Sequence, residues 1–109
     1  MGQFARGDVV LVRFPFSDLS ETKRRPALVL AVVEYGDLLL CQITSKDYDD
    51  RYAVKIEKAD FVRGSLPLTS YLRPGRLLTG DVSLVDKTLG TISEEKRLKV
   101  VDGVAAVIA

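Results

Sequence analysis

Apolar positions in this chain fall into short runs divided by turn residues, a pattern that predicts strands through most of its length and one helix at the end. Residues 8–14 are nearly continuous in apolar side chains and rich in Val, which predicts a strand covered on both faces. Pro15 removes a ladder donor, and residues 17–22 form a polar loop. Residues 27–33 and 38–44 are apolar runs joined by Glu34-Tyr35-Gly36-Asp37, a hairpin in which Val33 pairs with Leu38 and Ala27 with Thr44. After a charged loop over 47–51, residues 52–57 alternate as a half-exposed strand does, and 58–63 read as a helical turn stopped by Gly64. Leu66-Pro67-Leu68 starts a further strand that runs through Ser70-Tyr71-Leu72-Arg73 until Pro74-Gly75 breaks it. Residues 76–92 predict one or two short strands around Gly80 and Gly90. Ser93 then caps a helix, with Glu94 and Glu95 at its positive end. The stripe Leu98, Val101, Val104, Ala105 and Ile108 is expected to lie on the sheet, and Gly103 to weaken the helix by about 1 kcal/mol. The sum is a mainly β, α+β fold: a small, curved, antiparallel sheet or partly open barrel with a short helix and a C-terminal α-helix.

Composition narrows the class without naming a task. The 109 residues suit a single domain, 1–109, and 47% hydrophobic against 28% charged residues is a globular balance. Sixteen basic and fifteen acidic residues nearly cancel, so a nucleic-acid partner has to be argued from local clusters of cations. The single Cys41 lies in an apolar run and is expected in the core, which fits a reducing cytoplasm. No apolar leader follows Met1, and the longest apolar run, 26–33, is far short of the roughly 20 residues that span a bilayer, so a soluble intracellular protein with no membrane partner is expected.

Histidine is absent. That removes Ser-His-Asp and Cys-His hydrolysis, two-histidine ribonuclease chemistry and any His-bearing zinc site, and one Cys builds no structural zinc site. Neither a Walker loop nor a dinucleotide-binding glycine pattern occurs, and Asp49-Asp50 reads as a solvated turn before it reads as a metal site. No metal or cofactor is expected. What remains is chemistry by cations, hydroxyls and carboxylates. The predicted hairpin makes Arg25 and Thr44 diagonal neighbours on one face, about 7–8 Å apart at Cβ, a cation and a hydroxyl suited to a phosphate. Against this stands the plainer reading of Arg24-Arg25-Pro26 as a solvated lead-in to a strand and of Thr44 as ordinary strand composition. RNA cleavage by its own 2′-hydroxyl fits the residues present, because the substrate carries the nucleophile and the protein must orient it, hold phosphorane charge and manage two protons. Arg is bidentate toward phosphate but a poor base, so Glu21 or Asp47 is the more natural base.

Arg6-Gly7-Asp8-Val9-Val10, Ser20-Glu21, Arg25-Pro26-Ala27-Leu28-Val29-Leu30, Ile43-Thr44-Ser45 and Ser70-Tyr71-Leu72-Arg73, in this order and spacing, resemble the MazF/PemK family of toxin endoribonucleases from type II toxin–antitoxin systems. The resemblance implies an SH3-like β-barrel, usually a homodimer, that cleaves single-stranded RNA without metal to 2′,3′-cyclic phosphate and 5′-hydroxyl ends and inhibits growth. It implies Arg25 and Thr44 as the catalytic pair, supported by Glu21 and Ser45, with RNA contacts from Ser20, Lys23, Arg24, Lys46, Arg73 and Arg76. It also implies a cognate antitoxin that lays a disordered peptide along the substrate groove. This chain departs from the family in its loop 16–24, which is shorter and without Gly, and in Phe14-Pro15-Phe16. Two other readings stay open: a non-catalytic toxin of the same fold that binds DNA gyrase, and an SH3-like module that binds nucleic acid or peptide.

Overall fold

The computed structural model describes residues 3–15 and 22–109. Seven strands, β1 (Asp8–Pro15), β2 (Thr22–Val32), β3 (Leu38–Thr44), β4 (Val54–Ile56), β5 (Phe61–Gly64), β6 (Ser70–Gly80) and β7 (Val85–Ile92), precede one helix, α1 (Glu94–Ile108). They form a single antiparallel sheet in the order β4-β6-β3-β2-β1-β7-β5, curled into a half-barrel. The mainly β fold with a C-terminal helix is the one the apolar pattern predicts.

Each face of the sheet carries its own core, because successive side chains of a strand point to opposite sides. Val9, Leu28, Cys41, Ile43, Ile56, Leu72, Ile92 and Val100 fill one side, where α1 lies. Val10, Val12, Ala27, Val29, Leu38 and Leu40 fill the other, beneath Phe4, Leu84 and Val85. The unbroken apolar run of β1 therefore has cover on both faces, as its composition predicts.

The hairpin of β2 and β3 departs from its expected register in two places. Val32, not Val33, pairs with Leu38, because residues 33–37 make a longer turn with Tyr35 and Gly36 at positive φ. A second shift falls at Leu30, a bulge between Val29 and Ala31. Ala27 therefore pairs with Gln42 rather than Thr44. One shift alone would have turned every later side chain over; two restore the parity.

Strand β6 also differs from expectation. It starts at Ser70, without residues 66–68, and continues past Pro74-Gly75 to Gly80. Pro74 is tolerated because residues 73–76 bulge from the ladder between the pairs Ile43–Leu72 and Cys41–Leu77. The helical turn expected at 58–63 shrinks to a 3₁₀ turn, Lys58–Asp60, with Glu57 and Asp60 capping each other before β5 begins.

Ser93 caps α1 as predicted, its Oγ accepting from the Lys96 amide at 3.2 Å. The expected packing stripe holds only at Val104, which packs against the core; Leu98, Val101 and Ile108 are 48%, 40% and 78% exposed, and Val100, outside the stripe, is buried. The helix is turned by one residue, about 100°, from that expectation. Gly103 sets the turn. A Cβ there would stand 2.8 Å from the Cγ of buried Pro74, so the glycine read as a weakness is the point of closest approach. This helix, the longest of the described elements, is too short and too polar to cross a membrane.

Candidate nucleic-acid interface

Arg25 stands across from Val12 in the β1–β2 ladder, on the face that holds Val10, Val12 and Ala27. The β2–β3 ladder ends at Ala27–Gln42, beside Pro26, which has no amide proton to give. By strand parity Arg25 shares the face of Ala27, and Thr44 that of Gln42, so the two lie on one face as expected, and the same register continued two residues past the ladder would set them opposite each other rather than diagonal. The row continues: Thr44 pairs with Tyr71 of β6, and Tyr71 pairs with Lys55 of β4. At its other end Val12 pairs with Val85. One line thus crosses six strands, apolar and covered over β7 and β1, polar and open from β2 to β4.

The Thr44 hydroxyl is oriented before any ligand arrives. Its Oγ1 accepts from the Lys46 amide at 3.1 Å, an ST-turn at the strand end, which leaves its proton to donate outward. Ser45 and Lys46 follow in the exposed bend, and the Lys46 Nζ stands 4.9 Å from the centroid of the Tyr48 ring. Asp47, the base considered with Glu21, accepts from the Asp49 amide at 2.9 Å and closes the loop.

Several of the cations that sequence reasoning grouped together are held elsewhere. Arg24 points to the face opposite Arg25, and its Nε meets Asp86 Oδ2 at 2.6 Å while Arg13 meets Asp86 Oδ1 at 3.1 Å. Arg73 pairs with Asp50 at 3.3 Å, stacks on Tyr48 at 4.4 Å and is mostly buried. Asp50 also accepts from the Tyr52 amide at 2.9 Å, so Arg73 is a strut that fastens the 45–52 loop to β6. Arg76 is exposed where the bulge returns to the ladder beside Leu77. Lys23, two residues before Arg25, shares its face and is exposed. Ser20 and Glu21 lie outside the described residues.

The acidic residues Asp86 and Asp50, which capture Arg24 and Arg73, were missed in the sequence because each acts across a long loop. Tyr71 and Lys55 were missed because nothing local marks them. Only the alternation of an aromatic and a Lys with buried neighbours, Leu72 and Ile56, carries the signal.

Cys41 takes no part in chemistry. Burial pushes its thiol up to about 12, and the Sγ donates to the Arg73 carbonyl at 3.3 Å, so no thiolate forms near neutral pH. A polar recess between β5 and β7, lined by Asp8, Arg63, Thr88 and Thr91, lies at the far edge of the sheet. Its buried carboxylate is already occupied by the Ala5 amide at 3.0 Å and the Thr91 hydroxyl at 3.0 Å. Among the described residues no three His, Cys, Asp or Glu side chains gather around a point.

Residues 5–108 match the family described as PemK-like, MazF-like toxin of type II toxin-antitoxin system. Among solved structures, the MazE–MazF complex (Form-II) from Deinococcus radiodurans superposes at a TM-score of 0.78 with 19% identity, covering 96% of this chain and 95% of that one. An endoribonuclease in complex with its cognate antitoxin from a mycobacterial species superposes at 0.73 with 17% identity, covering 99% and 95%. The Mycobacterium tuberculosis toxin MazF-mt6 superposes at 0.72 with 15% identity, covering 93% and 95%. No curated protein sequence matches the chain.

Proposed function

The chain belongs to the PemK-like, MazF-like toxins of type II toxin–antitoxin systems, and on that premise we propose that it is an endoribonuclease that cuts single-stranded RNA, in the cytoplasm, under the control of a cognate antitoxin. The observation that carries the reading is the shared row of Arg25 and Thr44 on the open part of the sheet, kept in parity through two register shifts.

In this reading the 2′-hydroxyl oxygen attacks the adjacent phosphorus, the 2′-O–P bond forms and the P–O5′ bond breaks. The products are a 2′,3′-cyclic phosphate and a 5′-hydroxyl. Arg25 lies against the phosphoryl oxygens, where a permanently charged, bidentate donor stabilises the phosphorane more than the ground state. Thr44, its oxygen held by the Lys46 amide, donates a hydrogen bond to a non-bridging oxygen and keeps its proton. Proton removal from the 2′-hydroxyl falls to Glu21 or Asp47, and the leaving 5′-oxygen takes a proton from water or from the same carboxylic acid. Lys23 adds charge beside Arg25, whereas Arg24 and Arg73, tied to Asp86 and Asp50, act through the frame instead. The antitoxin peptide would block the same open face. A second copy of the chain would cover the exposed stripe Leu98, Val101 and Ile108 of α1.

The test is incubation of purified protein with a long single-stranded RNA in EDTA, beside Arg25→Ala and Thr44→Ala. Discrete fragments with 5′-hydroxyl ends, lost in both variants, are expected. RNA left whole at enzyme excess overturns the ribonuclease reading.

A further inference from the structure

Five of the described cations are held in ion pairs. Arg13 and Arg24 share Asp86, Arg73 has Asp50, Lys96 has Asp60 and Arg97 has Glu94. Lys55 is exposed, and among the described residues no carboxylate pairs with it. The nearest carboxylate along its strand, Glu57, is committed to its own cap with Asp60. Lys55 and Tyr71 stand in the row of Thr44, on the side of the sheet away from α1. Strands lie about 4.8 Å apart, so Thr44 and Lys55 are about 10 Å apart at the backbone, with the Tyr71 ring between them. Helix α1 presses Val100 against Ile43, Ile56 and Leu72 from behind, which leaves only the open face for a ligand.

We infer that Lys55 and Tyr71 extend the Arg25–Thr44 pair into a track for single-stranded RNA that runs across the strands; this rests on the ribonuclease reading above. Lys55 takes a phosphate next to the reacting one, and the Tyr71 ring takes the base between them. A polyanion with a stackable base at each step matches an alternation of cation and aromatic ring, and an exposed Lys in the row of Thr44, with no carboxylate partner among the described residues, offers its charge to it.

The experiment measures kcat and KM for cleavage of a single-stranded RNA over a range of KCl concentrations. It also measures equilibrium binding of the same strand with 2′-deoxy sugars. Lys55→Ala is expected to raise KM about tenfold with kcat within about twofold, and to lower the slope of log affinity against log salt by about one. Lys55→Arg restores both. Tyr71→Ala raises KM at least about fivefold, and Tyr71→Phe, which keeps the ring, matches wild type. Thermal melting shows that each variant is folded, and the exposed Lys55 carries the test by itself if Tyr71→Ala is not. An unchanged KM and salt slope in Lys55→Ala overturns the track while cleavage stands. Equal losses in Tyr71→Phe and Tyr71→Ala overturn the stacking role. Wild-type protein that leaves the RNA whole overturns the ribonuclease reading instead. The 2′-deoxy strand then reads the track without cleavage, and an unchanged slope there overturns it as well.

Discussion

Ile43, Leu72 and Ile56 face α1, and Thr44, Tyr71 and Lys55, each one position away in sequence, lie on the other side of the same three strands, Lys55 exposed and the other two half-buried. The first set is 0–1% exposed and supplies packing; the second is reachable and supplies polar groups in a line. Stability and candidate chemistry are thus divided by parity rather than by region. A strand that holds its neighbour's core residue at full packing density also fixes where the polar residue beside it points.

The sharpest break of this division is Arg25→Ala. Removing one preorganised donor to a developing oxyanion commonly costs 10²–10³ in rate, and a charged bidentate donor lies at or above that upper end, so RNA cleavage should fall about 10³-fold, roughly 4 kcal/mol in the barrier. The melting temperature should move little, because a solvent-facing substitution is usually within about 0.5 kcal/mol. A large fall in stability would place Arg25 in the structural set. Leu72→Ala tests the other face. It should cost about 3 kcal/mol, or more than 10 °C in melting temperature, through the cavity left between Ile43, Ile56 and Val100. Well below its midpoint, the surviving folded fraction should keep its kcat. Full loss of kcat with intact structure would show that the two faces are coupled.

Cys41 lies on the covered face and gives a pH test of that cover. Burial is the main cause that lifts its thiol from an ordinary 9.0 to about 12, against a smaller lowering by the Arg73 backbone. Below about pH 9 the thiol is protonated in folded and unfolded chains alike. As pH rises toward 12 only the unfolded chain releases the proton, so stability falls, by about 1.4 kcal/mol per pH unit above 9. Cys41→Val removes that slope. The difference between the two proteins' stability curves from pH 8 to 10.5 should be flat to about 9 and then turn in favour of the variant. A difference that stays flat throughout would mean that water reaches the thiol.

Much of this division was legible in the sequence. The Val-rich run of β1 announced its double cover, Ser93 announced the helix start, and Arg25 and Thr44 were placed on one face. That last expectation held through cancellation, since the longer turn at 33–37 and the bulge at Leu30 each shift the ladder by one. Neither shift has a clear local signature. The helix face was missed because apolar residues occur on more than one side of α1, and the deciding contact, Gly103 on Pro74, joins a residue that lowers helix propensity to one that was read as a strand breaker. The strand through Pro74 was missed for the same reason: a bulge opposite β3 excuses a proline that local rules reject. The cation cluster was over-read because charge pairing is a long-range fact. Arg24 and Arg25 look alike in sequence, and only the strand's alternation with Asp86 behind it separates them.

Asp86 is the smallest and most discriminating break. The register of β1 on β7 shifts between Leu11 and Val12, which leaves Asp86 bulged between Lys87 and Val85, where its carboxylate reaches both Arg13 and Arg24. Both cations are about half exposed, so each pair contributes at most about 1 kcal/mol, and Asp86→Asn, which breaks both, should lower stability by at most about 2 kcal/mol. Its effect on RNA should go the other way from a loss of charge. Freeing two guanidinium groups on the face opposite Arg25 adds nonspecific attraction for a polyanion, so binding should tighten at low salt and return to the wild-type level as salt rises. Cleavage at saturating RNA should hardly change, because Arg24 does not point toward the Arg25–Thr44 row. A fall in kcat comparable to that of Arg25→Ala would mean instead that the Arg13–Asp86–Arg24 clamp sets the aim of Arg25, and that the two faces of this sheet are joined at its open end.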